Sequence, residues 1–234
     1  MRPLVVLVVA ALVLTGCSTV DSADIRTSGM TADLFVKLPE DAKSVDVTAS
    51  FRVGTLTYVE LGGGEKVSAS AAGQNETLRR GKFAGATSYN GRLDVTKPGT
   101  EVAFDLQRDG DNTSAPSSTV ALPEPVHLTA PAGKLSRRSA VQVTFASGAA
   151  QALTWTGPCI QTGSLEIEAG RSSATIAAGL IRAAAPASPG SGISTTCQLT
   201  LTLTRRTTGK LDGAFKDGSV VAEAQSVRQV VSTP

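Results

Sequence analysis

The longest regular pattern in the chain of 234 residues is a strict alternation near its end, Cys197-Gln198-Leu199-Thr200-Leu201-Thr202-Leu203-Thr204. Successive side chains of an extended strand point to opposite faces, so a period of two puts the leucines on a buried side and the threonines on a wet one. A helix repeats every 3.6 residues and cannot sort them this way. The same period recurs at 33–38, 44–51, 55–61, 65–70, 83–89, 91–95 and 101–107, then at 140–145, 152–156, 164–168 and 173–182. Turn-forming residues stand at the breaks: Pro39 to Ala42, Gly62-Gly63-Gly64 as a hairpin loop, Asn90-Gly91, and Lys97-Pro98-Gly99. Strands spaced about ten residues apart, with no sustained helical period, predict an all-β chain built as antiparallel sandwiches. The segment 220–231 reads as a closing strand, although its Ala, Glu and Gln content also suits a short helix.

Four prolines, at 116, 123, 125 and 131, surround the short apolar runs 120–122 and 126–128. Proline cannot donate to a sheet interior, so run 120–122 ends one unit and the remainder is a stiff junction. Two β-sandwich domains are predicted, at 30–130 and 131–234. Their charges are opposite but weak: residues 18–130 carry 11 basic against 15 acidic side chains, a net of −4, and residues 131–234 carry 10 against 5, a net of +5. The stretch 185–192, rich in Ala, Pro, Ser and Gly, reads as a mobile loop.

The amino terminus has a different character. A positive start, Met1-Arg2-Pro3, precedes an unbroken apolar run from Leu4 to Leu14 and then Thr15-Gly16-Cys17. That run is shorter than the roughly 20 residues a membrane span needs, and the layout is that of a secretory signal, 1–16. Leu14-Thr15-Gly16-Cys17 resembles the lipobox of bacterial lipoproteins. The resemblance implies cleavage before Cys17, a diacylglyceryl thioether on its sulfur, and acylation, commonly palmitate, of the new amino group. Two chains suffice for stable membrane anchoring. Ser18 after the cysteine implies, by the same resemblance, the outer membrane in a cell that has two. The other reading is an ordinary cleaved signal. Residues 17–29 are polar and without period, so they read as a lipidated tether, roughly 20 Å across if flexible.

In an exported chain the two cysteines left over, Cys159 and Cys197, lie where disulfides persist. A bond between them closes a 38-residue separation and restricts the unfolded chain by about 4 kcal/mol. Two free thiols in a metal or redox site are the alternative, but no CxxC spacing and no nearby histidine supports one.

The second half resembles an immunoglobulin-like or fibronectin-like sandwich, with Trp155 as its core aromatic. It departs from the immunoglobulin pattern because Trp155 precedes both cysteines instead of lying between them. The bond would therefore pin the loop after the Trp155 strand to the start of the Cys197 strand. The whole chain is also similar to uncharacterised two-domain envelope lipoproteins, a resemblance that implies a place in the cell and no activity.

Groups for chemistry are sparse. The single histidine, His127, lies in the proline-bounded junction, and no Gly-x-Ser-x-Gly turn supplies a nucleophile. Asp109-Gly110-Asp111-Asn112 brings oxygen ligands together, as a calcium loop does, but lacks that loop's spacing and distal glutamate; turn preference explains the same residues. Arg137-Arg138 and Arg205-Arg206 read either as solvated strand ends or as contacts for an envelope polyanion. Near-neutral charge and 4% aromatic content disfavour nucleic acid. No cofactor and no catalytic residue are predicted. The expected function is that of a non-enzymatic, membrane-anchored envelope protein with a structural or interaction role; the alternative is a glycan or small-molecule binding module, or an accessory subunit of an envelope complex, with its site between the domains.

Overall fold

A computed structural model describes residues 18–110, 112–184 and 196–234. Cys17, Asp111 and the predicted loop 185–192 lie outside the described residues. In chain order the first half forms β1 (Ser18–Asp21), β2 (Thr31–Pro39), β3 (Val45–Val53), β4 (Thr57–Glu60), β5 (Lys66–Ala71), β6 (Gln74–Thr77), β7 (Arg79–Phe83), β8 (Ala86–Leu93), β9 (Glu101–Gln107) and β10 (Ala115–Ala121). The second half adds β11 (Leu128–Thr129), β12 (Lys134–Ser136), β13 (Val141–Phe145), β14 (Gln151–Gly157), β15 (Ile160–Ile167), β16 (Ser173–Ile176), β17 (Cys197–Thr208) and β18 (Asp217–Thr233). The fold is all-β, with sandwich-like sheets. Two short 3-10 turns, Ser22–Asp24 and Thr27–Gly29, are the helical elements described.

One large sheet runs the length of the molecule in the order β1-β4-β3-β2-β18-β17-β14-β15, with β7 and β8 beside β3 and β12 beside β18. A sheet ordered β10-β9-β5-β6 accompanies its first half, and a sheet ordered β11-β13-β16 its second. Most pairings are antiparallel, as the strand cadence implies. Three are parallel: β1 with β4, β2 with β18, and β12 with β18.

The second-half segment 217–225 thus lies in the first unit. β18 spans 17 residues, roughly 55 Å at the usual strand rise. Its first part, Asp217 to Gln225, lies beside Thr31 to Pro39, and its last three paired residues, Val231 to Thr233, lie beside Lys134 to Ser136. The antiparallel partner β17 accompanies it throughout, from Thr208 opposite Val221 to Cys197 opposite Ser232. One alternating face of this strand lines the interior in both halves: Val220, Ala222 and Ala224 are buried in the first unit, Ser226 at the junction and Ser232 in the second. The buried apolar residues form one cluster across both halves.

Two turn assignments change. Gly62 to Gly64 do not close a hairpin, because β4 and β5 belong to different sheets. The glycines permit a close crossing instead: the Gly64 N–H donates to Asp109 Oδ2 at 2.7 Å, and a Cβ on Gly64 would stand 2.9 Å from that oxygen. Asn90-Gly91 lies inside β8, where a Cβ on Gly91 would meet Leu78 Cδ2 at 2.6 Å. The real turn is Ala84-Gly85, with φ of 47° and 82°, the pairing of positive angles that a two-residue hairpin needs. The segment 220–231 is strand, not helix.

The tether is also corrected. Residues 18–29 pack onto the first unit: β1 pairs with β4, and Ser22 and Thr27 are buried. Their polarity misled because much of what holds them is hydrogen bonding, with Val20 and Ile25 alone adding larger apolar contacts to the core.

Without β18, the edge of β2 bearing Ala32, Leu34, Val36 and Leu38 has no backbone partner, and an unpaired apolar strand edge invites aggregation. Residues 18–130 produced alone are expected to aggregate, and co-production with residues 131–234 should recover soluble material by size-exclusion chromatography. A soluble, cooperatively unfolding 18–130 fragment would show that the shared strand is dispensable.

Candidate functional site

The first unit is closed at its end remote from the second by a buried ion pair. In β9, Val102, Phe104 and Leu106 face the core, and the next position of the same parity is Arg108. Its side chain is fully buried and that of Glu65 5% exposed. Each guanidinium nitrogen finds an acceptor: Nε donates to Glu65 Oε1 at 2.7 Å, Nη1 to Thr27 Oγ1 at 3.1 Å, and Nη2 to the carbonyls of Ser22 at 2.8 Å and Ile25 at 3.0 Å. The Ser22 hydroxyl donates to the other Glu65 oxygen and accepts from the Gly62 N–H at 3.0 Å. Planar, multiply donating arginine suits this task where lysine does not. The knot holds the segment that follows Cys17 against the sandwich.

The junction between the units holds a second cluster. Arg228 grips Glu40 with two bonds, Nη1 to Oε2 and Nη2 to Oε1, both 2.6 Å. The Ser226 hydroxyl donates to Glu40 Oε2 at 2.6 Å and accepts from the Leu128 N–H at 2.8 Å. His127, 65% exposed, places Nδ1 against Glu40 Oε1. Ser, His and Glu therefore converge, but in the wrong order for a nucleophilic triad. In a triad the imidazole lies between hydroxyl and carboxylate; here the carboxylate lies between the other two, and Ser226 is inaccessible. The arrangement braces the β2–β3 turn, the 122–128 connection and β18. The Arg228 hydrogen bonds, opposed by partial burial and aided by Ser226, hold the Glu40 carboxyl down at about 2, and the same contact raises Arg228 above the ordinary arginine value.

The arginine pairs do not gather into one patch. Arg205 continues the buried series Leu199, Leu201, Leu203 and is itself buried. It pairs with Glu124 at 2.7 Å, and Gly148 gives it room, since a Cβ there would lie 2.5 Å from Nη2. Arg206 points to the other face and pairs with Glu223 at 2.7 Å. Arg137 donates to Ser232 Oγ at 3.2 Å. Asp109 receives the Gly64 N–H in the crossing described above, and β9 and β10 join as a hairpin around it.

Cys159 and Cys197 form a disulfide with Cα atoms 6.0 Å apart. It ties the β14–β15 turn to the start of β17, at the end of the molecule farthest from Ser18. Trp155 is buried in this unit, and Gly163 is required beneath it, because a Cβ would approach its ring carbons to 2.4 Å. Open depressions lie on the second unit. One of about 670 Å³ is lined by Ala130, Pro131, Lys134, Gln198, Gln229 and Val231. Another of about 600 Å³ crosses the sheet face at the level of the junction, lined by Glu166, Thr202, Thr204, Arg206, Glu223 and Gln225 among others.

Arg108, which the sequence analysis did not single out, and Arg205, which it read as a solvated strand end or polyanion contact, share a legible signal: each occupies the next inward position of a strand whose preceding inward residues are all apolar.

No protein-family model and no curated protein sequence matches the chain. Among solved structures it is similar to the FN1–FN3 domains of chicken CNTN1, at 9% identity over 89% of this chain and 68% of that one, with a TM-score of 0.31. It is also similar to a two-domain fibronectin type III segment of chicken tenascin, at 8% identity over 86% and 98% with a TM-score of 0.27, and to the Yersinia pseudotuberculosis adhesin InvE, at 11% over 88% and 60% with a TM-score of 0.24. At these identities and TM-scores the similarity extends to no residue of a site.

Replacing Arg108 by Met strands the buried Glu65 carboxylate and should cost about 3–5 kcal/mol, the range for breaking a buried pair. Urea unfolding measures this, and limited proteolysis should cut first within 22–29; an unchanged midpoint would remove Arg108 from that role. Replacing Glu40 by Gln should cost about 1–3 kcal/mol at neutral pH, the scale of hydrogen bonds to charged groups. A carboxyl whose folded-state value is lowered stabilises above its unfolded value and loses that contribution as pH falls. Wild type should therefore lose this part of its stability between about 4.5 and about 2, and the Gln variant should show a shallower decline of urea midpoint in the same window.

Proposed function

We propose that this chain is a lipid-anchored protein of the cell envelope whose role is structural or interactive rather than catalytic. The observation that carries the reading is the run Leu14-Thr15-Gly16-Cys17 immediately before β1, whose first residue is Ser18. A diacylglyceryl group on Cys17 would hold the folded body directly at the bilayer, with no flexible spacer. The units predicted at 30–130 and 131–234 then become an inner and an outer unit, joined by the β17–β18 hairpin. The outer unit, closed by the Cys159–Cys197 bond, presents its tip and sheet face to an envelope protein or glycan. The Ser226–Glu40–His127 order supports the non-enzymatic part of this reading, with His127 Nδ1 set against the Glu40 carboxylate.

A second reading, a glycan or small-molecule module, has the polar depression at Thr202, Thr204, Arg206 and Glu223 as its natural site. Hydroxyl, guanidinium and carboxylate groups there suit a sugar's hydroxyls. Pull-down from detergent-solubilised envelopes separates the two: a stoichiometric protein favours the first, and glycan-array binding without one favours the second.

Replacing Cys17 by Ser should move the protein from the membrane fraction to the soluble fraction while leaving its thermal unfolding unchanged. Mass spectrometry of the wild type should show the added diacylglyceryl mass. Membrane retention of the Ser variant would overturn the anchor.

A further inference from the structure

The two exposed large hydrophobic side chains described in the inner unit are Phe83, 86% exposed, and Leu56, 53% exposed. Single exposed apolar residues are common on protein surfaces, so position decides whether these two matter. Leu56 sits on the β3–β4 turn, between Val53 and Thr57, which face each other across the pair. Ser18 is the register partner of Thr57, and its N–H donates to the Leu56 carbonyl at 3.3 Å. Residue 17, bonded to Ser18, is therefore joined to the chain at this turn.

Phe83 ends β7 at the tip of the β7–β8 hairpin. β8 lies beside β3 with Leu93 opposite Val45 and Tyr89 opposite Ala49, so the tip is directed toward the Val53 end of β3. Arg80 and Lys82 of β7 both pair with Glu60 of β4, which fastens the hairpin to the strand that follows Leu56. Thr31 of β2 lies opposite both Arg52 and Asp217, and β18 runs from there into the outer unit. The end bearing Ser18, Leu56 and Phe83 is thus the one turned away from the outer unit.

We infer that this end is a membrane-contact surface: Leu56 and Phe83 enter the interfacial region of the bilayer beside the lipid on Cys17, with Arg79, Arg80 and Lys82 at headgroup level. Aromatic rings favour that zone, and long basic side chains reach phosphate from it. The inference rests on the anchoring reading above and adds an orientation to it, with the inner unit seated on lipid and the outer unit pointing outward.

Bromolipid quenching tests it on the full chain. Wild type and the Phe83→Trp, Leu56→Trp and Gln161→Trp variants are produced in a bacterium that acylates lipoproteins. Each is reconstituted into phosphatidylcholine–phosphatidylglycerol vesicles containing lipid brominated near the headgroup, and each is weighed by mass spectrometry. Trp155, the one native tryptophan, is buried in the outer unit and gives a constant background. Emission from the substitutions at 83 and 56 should fall in brominated vesicles, whereas that at Gln161, near the disulfide, should not. Acylated protein with no quenching at 83 and 56 overturns the contact surface and leaves the anchor standing. Protein without lipid mass overturns the anchor, and the contact with it. A spectral shift that appears in the unacylated Cys17→Ser background and grows with protein concentration assigns the patch to a second copy of the chain, which also overturns the proposal.

Discussion

Backbone pairing along β18 is the constraint on which the remaining architecture depends, since a single strand lines the interior in both halves. Its inward residues change from Val220, Ala222 and Ala224 to Ser226 and then Val230 and Ser232 as it passes from one unit to the other. Because β17 pairs with it residue by residue across the junction, bending there would break ladder hydrogen bonds whose groups would then need new partners. The hairpin therefore sets the spacing and angle of the two units, in contrast to a flexible linker between independent domains. It also couples the ends of the chain in folding. β2 near the amino terminus is completed by a strand near the carboxyl terminus, and such non-local pairing closes late and slowly.

Three arginines fasten irregular segments to this frame. Arg108 secures residues 22–30, Arg205 secures the connection at Glu124, and Arg228 secures the β2–β3 turn through Glu40. Of these, the Arg108–Glu65 pair is buried on both sides, whereas Glu124 is 64% and Arg228 30% exposed; such a buried pair is a weak source of net stability, since desolvation offsets the Coulombic gain. Their value here lies in direction. Apolar packing would tolerate several positions of a polar loop, whereas the Arg108 guanidinium accepts only an arrangement that gives each of its nitrogens an acceptor. The Arg108 knot illustrates the point: it converts a segment with almost no apolar character into a fixed closure of the first unit.

Period two made the strands legible because burial on one face imposes it, and β2, β3, β9 and β17 lie where the alternation sits. The disulfide was legible from the even pair of cysteines left once Cys17 is set aside. Partner choice was not, because local alternation says which face is buried and nothing about which strand lies alongside; the parallel pairing of β2 with β18 leaves no mark in either segment. Glycine misled twice for a related reason. At Gly64 the absence of Cβ answers to Asp109 as well as to a turn that passes between two sheets and closes no hairpin, and at Gly91 it answers to Leu78 inside a strand. Arg108 and Arg205 were hidden by the habit of reading charge as exposure, although strand parity placed both of them inward.

If Cys17 carries lipid as proposed, rigidity and anchoring together would give the molecule a polarity that neither provides alone. A lipid on a flexible tether localises a protein without orienting it, since a coil of a dozen residues permits most rotations. Here the residue after Cys17 is already in a strand, the segment beyond it is held by Arg108, and the shared hairpin transmits that orientation roughly 55 Å outward. A partner bound near Cys159–Cys197 would thus meet a surface whose height and attitude above the membrane are set by backbone hydrogen bonds. The charged clusters at Arg108, Arg205 and Arg228 are committed to holding the chain's own segments in place.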